Sequence, residues 1–194
     1  MESAPAIKMP AENMALSTSQ HYDQIITRCK ELFLKKMQDY GTAWRILRVS
    51  SITDQIYIKA QRIRSIEEKG TQRIDEGIDG EFVGIINYCV IALIQIEMGN
   101  EQNLEMSEPE VVRHFDFHVK ESKSLMENKN HDYGEAWRGM RTSSMTDLIL
   151  MKLLRIKQIE DNKGSTIVSE GVSANYYDII NYAVFALIKM ESES

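Results

Sequence analysis

Residues 39–63 read DYGTAWRILRVSSITDQIYIKAQRI, and residues 132–156 read DYGEAWRGMRTSSMTDLILMKLLRI. The second stretch follows the first at a constant offset of 93 residues, and 16 of the 29 aligned positions that begin at Lys36 are identical. A further matching pair, IINYCVIALI and IINYAVFALI, begins at Ile85 and Ile179, one residue further apart. Self-similarity at a fixed spacing is the signature of a duplicated structural unit. The chain is therefore predicted to contain two tandem copies of one unit.

Each copy is predicted to contain three helices. The predicted helices span approximately residues 18–37, 51–70, 81–97, 108–128, 144–164 and 175–190. The third helix of each copy is apolar on three sides, which is typical of a helix at the centre of a bundle. Gly41 and Gly134 interrupt the chain between the first and second helices. These features predict an all-α fold, a helical bundle made of two tandem three-helix repeats with pseudo-two-fold symmetry.

The predicted domain organisation follows from the repeat. It comprises a disordered N-terminal segment at 1–16, a first helical repeat at 17–98, a connector at 99–107 and a second helical repeat at 108–194. The segment 99–107 ends at Ser107, where a Ser-Glu-Pro-Glu sequence predicts a capping box with Pro in the first turn of the next helix.

Composition excludes several classes of function. The net charge is −6 and no concentrated basic face is evident, so bulk DNA binding is not expected. The longest apolar run is shorter than the roughly 20 residues that cross a bilayer, and the N-terminal residues lack the pattern of a secretory signal. Cys29 and Cys89 lie in apolar helical patterns and are predicted to be buried free thiols. A cytoplasmic protein without membrane association is expected.

Polar residues recur in both copies as strictly as apolar ones, which favours a ligand site. In each second helix a Lys and an Arg lie three residues apart and share one face, and such cations suit phosphate oxygens. The candidate residues for binding a phosphate or nucleotide are Lys59, Arg62, Lys152, Arg155, Arg45, Arg138, Asp132, Tyr133 and Trp137.

Two polar residues interrupt the apolar third helix of the second copy. Asp178 and Asn181 lie three residues apart and therefore share a face. A carboxylate and an amide inside an apolar helix are costly unless each meets a partner. Asp147 lies five residues before Lys152 on the preceding helix. Carboxylate and amide oxygens suit hard cations such as Mg²⁺, so these residues are candidate metal ligands.

Each of these features also has a purely structural interpretation. Asp54 and Asp147 both occur in Ser-x-x-Asp sequences and would then cap helices. Asp178 and Asn181 would form a buried hydrogen-bonded pair, and the cations of the second helices would be solvated or ion-paired. The Trp of each copy would anchor the core or an interface rather than stack on a base. The residues alone leave these alternatives open.

The combined pattern DYGxAWR, SSxTDxxxxKxxRI, EG and INYxVxALI resembles the nucleotide-modification-associated domain family of bacteria and phages. That family is in turn similar to the MazG-like all-α pyrophosphatases, which use carboxylate-bound Mg²⁺ to cleave nucleoside triphosphates to a monophosphate and pyrophosphate. The resemblance implies that Asp178 and Glu170 are metal carboxylates and that Lys152 and Arg155 form the KxxR step. The sequence lacks the ExxE motif of classical MazG-like enzymes, and the first copy has Gly84 where the second has Asp178.

These considerations predict a nucleoside triphosphate pyrophosphohydrolase that uses Mg²⁺, with Mn²⁺ as the alternative ion. The predicted metal ligands are Asp178, Glu170, Asp147 and Asn181. Because the copies differ, one composite site or one functional half is expected rather than two equal sites. MazG-like enzymes are commonly dimers, which implies a homo-oligomer or a dimer fused into one chain. The alternatives are a non-catalytic nucleotide- or phosphate-binding module and a structural interaction bundle.

Overall fold

The computed structural model describes residues 16–99, 103–164 and 171–193, and all the regular structure in those ranges is helical. The six α-helices are α1 (Thr18–Tyr40), α2 (Val49–Lys69), α3 (Ile78–Met98), α4 (Glu108–Tyr133), α5 (Thr142–Asp161) and α6 (Val172–Glu193). The predicted all-α bundle is confirmed. The predicted disordered segment 1–16 lies, apart from Leu16, outside the described residues.

The ends of α1 and α4 carry the DYG motif. Each helix ends at the Tyr, and the following Gly41 and Gly134 have φ values of 59°. This left-handed region is open to glycine and unfavourable for other residues. A short 3₁₀ turn then carries the Trp of each repeat, at Ala43–Ile46 and Ala136–Gly139. The predicted break after the first helix of each repeat is therefore confirmed.

The starts of α2 and α5 differ from the prediction. They begin two residues before Ser51 and Ser144, the N-cap residues are Arg48 and Arg141, and neither start has a side-chain capping bond. The Ser-x-x-Asp sequences therefore lie within the first two turns, and the capping interpretation of the two aspartates is wrong. Each aspartate instead reaches across to the other repeat.

The start of α4 at Ser107 with Pro in the first turn is confirmed, although the Ser side chain makes no capping bond there. The capping box forms at α1, where the Ser17 hydroxyl accepts a hydrogen bond from the Gln20 N–H at 3.2 Å. The Gln20 side chain accepts one from the Ser17 N–H at 2.8 Å. This reciprocal pair satisfies two backbone donors that the helix leaves open.

The helices α3 and α6 pack against each other at the centre of the bundle, and α2 and α5 cover them. Burial of their apolar side chains supplies the main driving force for folding. By length and composition alone α3 could cross a membrane, since its mean hydropathy is 1.6, but 67% of that stretch is buried inside the bundle. Cys29 and Cys89 are free and buried in this core, as predicted.

Contacts between the repeats are reciprocal. The side-chain pairs are Thr53–Glu160 with Thr146–Glu67, Lys30–Asp116 with Lys123–Asp23, and Lys157–Asp54 with Arg64–Asp147. In each of these pairs, the two contacts are related by the repeat: each residue of one contact lies 93 positions from the residue of the same role in the other contact, in the opposite repeat. A two-fold relation between units gives this arrangement, because the same surface then serves as both partners. The contacts agree with the predicted pseudo-two-fold symmetry.

Candidate ligand cavity in the first repeat

A cavity of about 710 Å³ lies in the first repeat, between α1, the first 3₁₀ turn, α2 and α3. Sites for small molecules commonly have volumes of about 300–1,000 Å³. The lining residues are Leu32, Phe33, Lys36, Met37, Tyr40, Gly41, Ala43, Trp44, Leu47, Lys59, Glu76, Gly77, Asp79, Gly80, Glu81, Gly84, Asn87, Tyr88 and Ile91. The DYGxAWR motif thus forms one wall of a cavity that a small organic molecule could fill.

Aromatic side chains form part of this wall. Trp44 is half-buried, and its ring centroid lies 6.4 Å from that of Phe33 with a tilt of 55°. Tyr88 is half-buried on α3, and Tyr40 is exposed at the end of α1. Aromatic rings present flat, polarizable surfaces to a planar ligand. The wall is therefore suited to a ring system.

The charged part of the cavity contains two lysines. The ammonium of Lys59 donates a hydrogen bond to Glu81 Oε2 at 3.0 Å, and the Arg62 guanidinium binds the other oxygen of the same carboxylate. Burial alone would raise the pKa of Glu81, but these two cations outweigh burial and lower it. Lys36 is exposed and makes no ion pair within the part of the chain that the structure describes. Its ammonium is available to an anion.

Asn87 carries an unused acceptor. Its amide nitrogen donates a hydrogen bond to the Cys29 carbonyl oxygen at 3.0 Å. Its Oδ1 atom is buried, and no described residue donates a hydrogen bond to it. The residue as a whole is 8% exposed. An unsatisfied buried acceptor costs about 1–3 kcal/mol. Since the atom has almost no accessible surface even with the cavity empty, a ligand group would reach it only if the Asn87 side chain turned.

The equivalent place in the second repeat is occupied by the protein's own side chains. Asp178, which corresponds to Gly84, accepts hydrogen bonds from Lys129 at 2.5 Å and from Lys152 at 2.6 Å. Those lysines correspond to Lys36 and Lys59. Burial would raise the pKa of Asp178, but the two lysines outweigh burial and lower it.

The aromatic side of the second repeat is also filled. Trp137 is buried and stacks on Phe185 with the ring centroids 4.2 Å apart and the planes within 4° of parallel. The residue that corresponds to Phe185 is Ile91, which leaves Trp44 without this stacking partner. Trp137 is thus packed in the core, as the structural interpretation expected, and its role in nucleotide binding stays a prediction. The Trp44 ring instead borders the open cavity.

The predicted cations of the second helices separate by repeat. Lys59 lines the cavity and Arg62 holds Glu81 at its edge. Lys152 binds Asp178, while Arg155 is exposed. Lys59, Arg62 and Lys152 thus all contact a carboxylate of their own repeat. The described ion pairs do not join them into a composite site.

Arg45 and Arg138, also predicted to bind phosphate, hold the 3₁₀ turns in place. The Arg45 guanidinium is buried and binds the Gln95 side chain. Arg138 donates to Glu135 Oε2 at 2.6 Å and to Thr18 Oγ1 at 2.6 Å, and it lies over the Trp137 ring. These contacts give both arginines a structural role.

The described members of the predicted metal set do not converge. Both oxygens of Asp178 accept from lysines, and Asn181 is bonded to Ser122 and Tyr22. Asp147 is exposed and lies 3.7 Å from the Arg64 guanidinium. Glu170 lies outside the described residues. No group of three or more His, Cys, Asp or Glu side chains with metal-binding geometry occurs in the described ranges. These donors do not fit a Mg²⁺ ion, and that site stays a prediction.

Sequence reasoning missed several residues of the cavity. Asp132 and Tyr133, which it selected, are exposed in the second repeat. Lys36, Asn87 and Tyr88 were not selected, although all three recur at equivalent positions in the second repeat. Their recurrence was an available signal. The absence of a side chain at the position equivalent to Asp178 was interpreted as a lost carboxylate rather than as a gain of space.

The model of one protein family matches this chain twice. Its description is nucleotide modification associated domain 1, and the matched residues are 36–96 and 129–190. Together the matches cover more than half of the chain. The first match begins at Lys36, which lines the cavity, and the second begins at Lys129, which binds Asp178. No curated protein and no solved structure matches the chain.

Proposed function

We propose that this chain, which belongs to the nucleotide modification associated domain 1 family, binds a nucleotide in the cavity of its first repeat. The observation that carries the proposal is the combination of chemical groups around one space. Lys36 and Lys59 supply positive charge, and Trp44 and Tyr88 supply aromatic surface. A nucleotide has a complementary group for each of them.

The proposed binding mode assigns one part of the ligand to each side of the cavity. A phosphate would lie near the ammonium groups of Lys36 and Lys59, since charge-assisted hydrogen bonds are the stronger ones. The base would lie against Trp44, because base stacking on aromatic side chains is worth about 1–3 kcal/mol.

Hydrolysis of a nucleoside triphosphate is the second candidate. Glu76 and Asp79 line the mouth of the same cavity, both are exposed, and Glu81 lies deeper. Carboxylates near a bound triphosphate could help to hold a divalent ion. The Glu81 carboxylate is already neutralised by Lys59 and Arg62, which favours binding without catalysis.

Isothermal titration calorimetry with nucleoside mono-, di- and triphosphates, with and without Mg²⁺, tests the proposal. We expect saturable binding of at least one nucleotide by the wild-type protein. Lys36→Ala should weaken it about tenfold or more, because it removes a charge-assisted contact. Lys35→Ala is the matched control, since Lys35 is a neighbouring exposed lysine that does not line the cavity.

Three results decide between the candidates. Binding that Lys36→Ala weakens and Lys35→Ala does not supports the proposal. Failure of every nucleotide to bind contradicts it. Release of pyrophosphate from a triphosphate in the same samples, abolished in Glu81→Gln, would select the pyrophosphohydrolase instead.

A further inference from the structure

The two repeats treat one position in opposite ways. In the second repeat the carboxylate of Asp178 lies between Lys129 and Lys152, with one oxygen on each ammonium at 2.5 and 2.6 Å. In the first repeat the equivalent lysines line a cavity, and Gly84 provides no side chain between them. In the first repeat Lys59 instead binds the Glu81 carboxylate one turn earlier, Lys36 makes no ion pair among the described residues, and the position between the two lysines is open.

We infer that the Asp178 carboxylate is a built-in substitute for the anionic group of the ligand. The first repeat is then the open form of a site that the second repeat fills with its own side chains. The chemistry that this position selects is a carboxylate or phosphate oxygen group held by two lysines. Only the assignment of that anion to a nucleotide rests on the proposed function.

The position of the Lys59 side chain depends on the absence of a side chain at Gly84. A Cβ atom there would lie 2.9 Å from Lys59 Cε and 3.1 Å from Cδ. Contacts this short require the lysine side chain to move. Gly84 therefore lets Lys59 extend along the cavity wall, whereas Lys152 in the second repeat is arranged around Asp178.

The side-chain amide beside this position, Asn181 in the second repeat and Asn87 in the first, also differs in its hydrogen bonds between the repeats. In the second repeat Asn181 Oδ1 accepts hydrogen bonds from the Tyr22 hydroxyl at 3.0 Å and the Ser122 hydroxyl at 2.9 Å. The residues that correspond to Tyr22 and Ser122 around Asn87 are Phe115 and Cys29, neither of which has a hydroxyl group. The amide nitrogen makes the same bond in both repeats, to the carbonyl oxygen of Cys29 or Ser122. The acceptor that internal hydroxyls satisfy in the second repeat therefore has no donor among the described residues in the first.

The aromatic position completes the comparison. Phe185 stacks on Trp137 in the second repeat, and Ile91 replaces it beside Trp44. Phe185 therefore occupies the face of the Trp that a planar ring would use in the first repeat. The anion and the ring each have an internal counterpart in the second repeat, and a single substitution can test each of them.

Chemical rescue tests the anion position without any nucleotide. Asp178→Gly should lower the thermal unfolding midpoint, and sodium acetate, which restores the lost carboxylate, should raise that midpoint by about 2–4 °C more than it raises the wild-type value. Phosphate at equal ionic strength is the second arm, and chloride is the salt control. Asp147→Gly is the matched variant, because that aspartate is exposed and near a single cation.

A rise with acetate or phosphate that chloride does not give, and that Asp147→Gly does not share, supports the inference. The larger of the two rises identifies the preferred anion. Equal responses of the two variants overturn it. If Asp178→Gly does not fold, Asp178→Ala removes the same carboxylate at a smaller cost in helix propensity and replaces it in the experiment.

Closing the first repeat is the converse test. Gly84→Asp should place a carboxylate between Lys36 and Lys59 and weaken nucleotide binding by about 100-fold, by competing for the charged contacts. Gly84→Ala controls for size alone and should weaken binding less. If Gly84→Asp binds the nucleotide as tightly as the wild type does, the inference is overturned and the proposed function still stands. Absence of nucleotide binding in the wild type contradicts the proposed function, and acetate rescue still decides the inference.

Discussion

Gly41 follows the last residue of α1 and has φ 59° and ψ −141°, a backbone conformation that is strongly unfavourable for residues other than glycine. We expect Gly41→Ala to lower the free energy of unfolding by about 1–3 kcal/mol, measured by urea denaturation. Gly139→Ala is the control, because that glycine has open space around it and no positive φ. An equal effect of the two substitutions would show that the backbone at Gly41 is not the cause.

The carboxylate of Asp178 has a lowered pKa because its two lysines outweigh the opposing effect of burial. A lowered carboxyl pKa stabilises the folded state above the pKa of the unfolded chain, about 3.9, and that stability is lost as the pH falls through the folded value. Asp178→Asn should therefore cost about 3 kcal/mol near neutral pH, the low end for a broken buried pair, since Lys129 is half-exposed.

The cost of Asp178→Asn should shrink as the pH falls below about 4, because the wild-type carboxylate is then protonated first in the unfolded chain and at lower pH also in the folded protein. Urea denaturation at several pH values measures it. Asp147→Asn is the control and should change stability by less than about 0.5 kcal/mol at any pH, because its ion pair is exposed. A cost of Asp178→Asn that does not depend on pH would argue against ionic binding.

At the residue scale the sequence predicted that Lys59 and Arg62 bind phosphate, which stays a prediction, and in the structure both bind the Glu81 carboxylate, as the ion-paired alternative expected. It did not indicate which anion each cation meets, because Glu81 and Asp178 come from different turns of equivalent helices. The carboxylate of Asp178 binds both lysines of its repeat, whereas that of Glu81, one turn earlier on the equivalent helix, binds Lys59 and not Lys36. Spacing along a single helix contains no information on that choice.

At the scale of the helices, the imidazole of His118 on α4 joins α3 to α6. Its Nε2 lies 2.9 Å from Glu97 Oε2 and its Nδ1 lies 2.9 Å from the Tyr177 hydroxyl. Burial lowers the pKa of His118, the Glu97 carboxylate opposes that shift, His114 adds to it, and Glu121 opposes it. Protonation of His118 therefore favours the unfolded chain.

Because the folded pKa of His118 is lowered, stability should fall as the pH drops from about 6.5, the value for an unfolded histidine, towards the folded value. In His118→Gln the slope of stability against pH should be smaller in that range, by up to about 1.4 kcal/mol per pH unit. Denaturation at pH values from 7.5 to 5 measures this. An unchanged slope would mean that another group dominates the titration.

Helix boundaries illustrate what local sequence determines. The breaks at Gly41 and Gly134 were predictable, since glycine alone accepts that backbone conformation easily. The starts of α2 and α5 were misplaced, because Ser-x-x-Asp has the spacing of a cap, whereas the helices already begin at Val49 and Thr142 after the extended residues Arg48 and Arg141. The real partner of Asp54, Lys157, is more than a hundred residues away and belongs to the other repeat.

For the whole molecule, the duplication and the all-α fold were predictable because rare residues match in register. The identity of the open repeat was not, because both repeats carry the same motif. The difference arises from substitutions outside the motif, namely Gly84 for Asp178, Phe115 for Tyr22, Cys29 for Ser122 and Ile91 for Phe185. Their meaning depends on which side chains surround them after folding.

The chain has one tryptophan in each repeat, which gives each repeat its own fluorescent reporter. Trp44 borders the open cavity, whereas Trp137 is buried against Phe185. The most direct measurement is therefore a nucleotide titration of the single-tryptophan variants Trp137→Phe and Trp44→Phe, followed by fluorescence and, in parallel, by calorimetry. We predict a saturable change from Trp44 in Trp137→Phe and no change from Trp137 in Trp44→Phe. A response from Trp137, or calorimetric binding to Trp137→Phe that leaves Trp44 unaffected, would contradict a site in the first repeat.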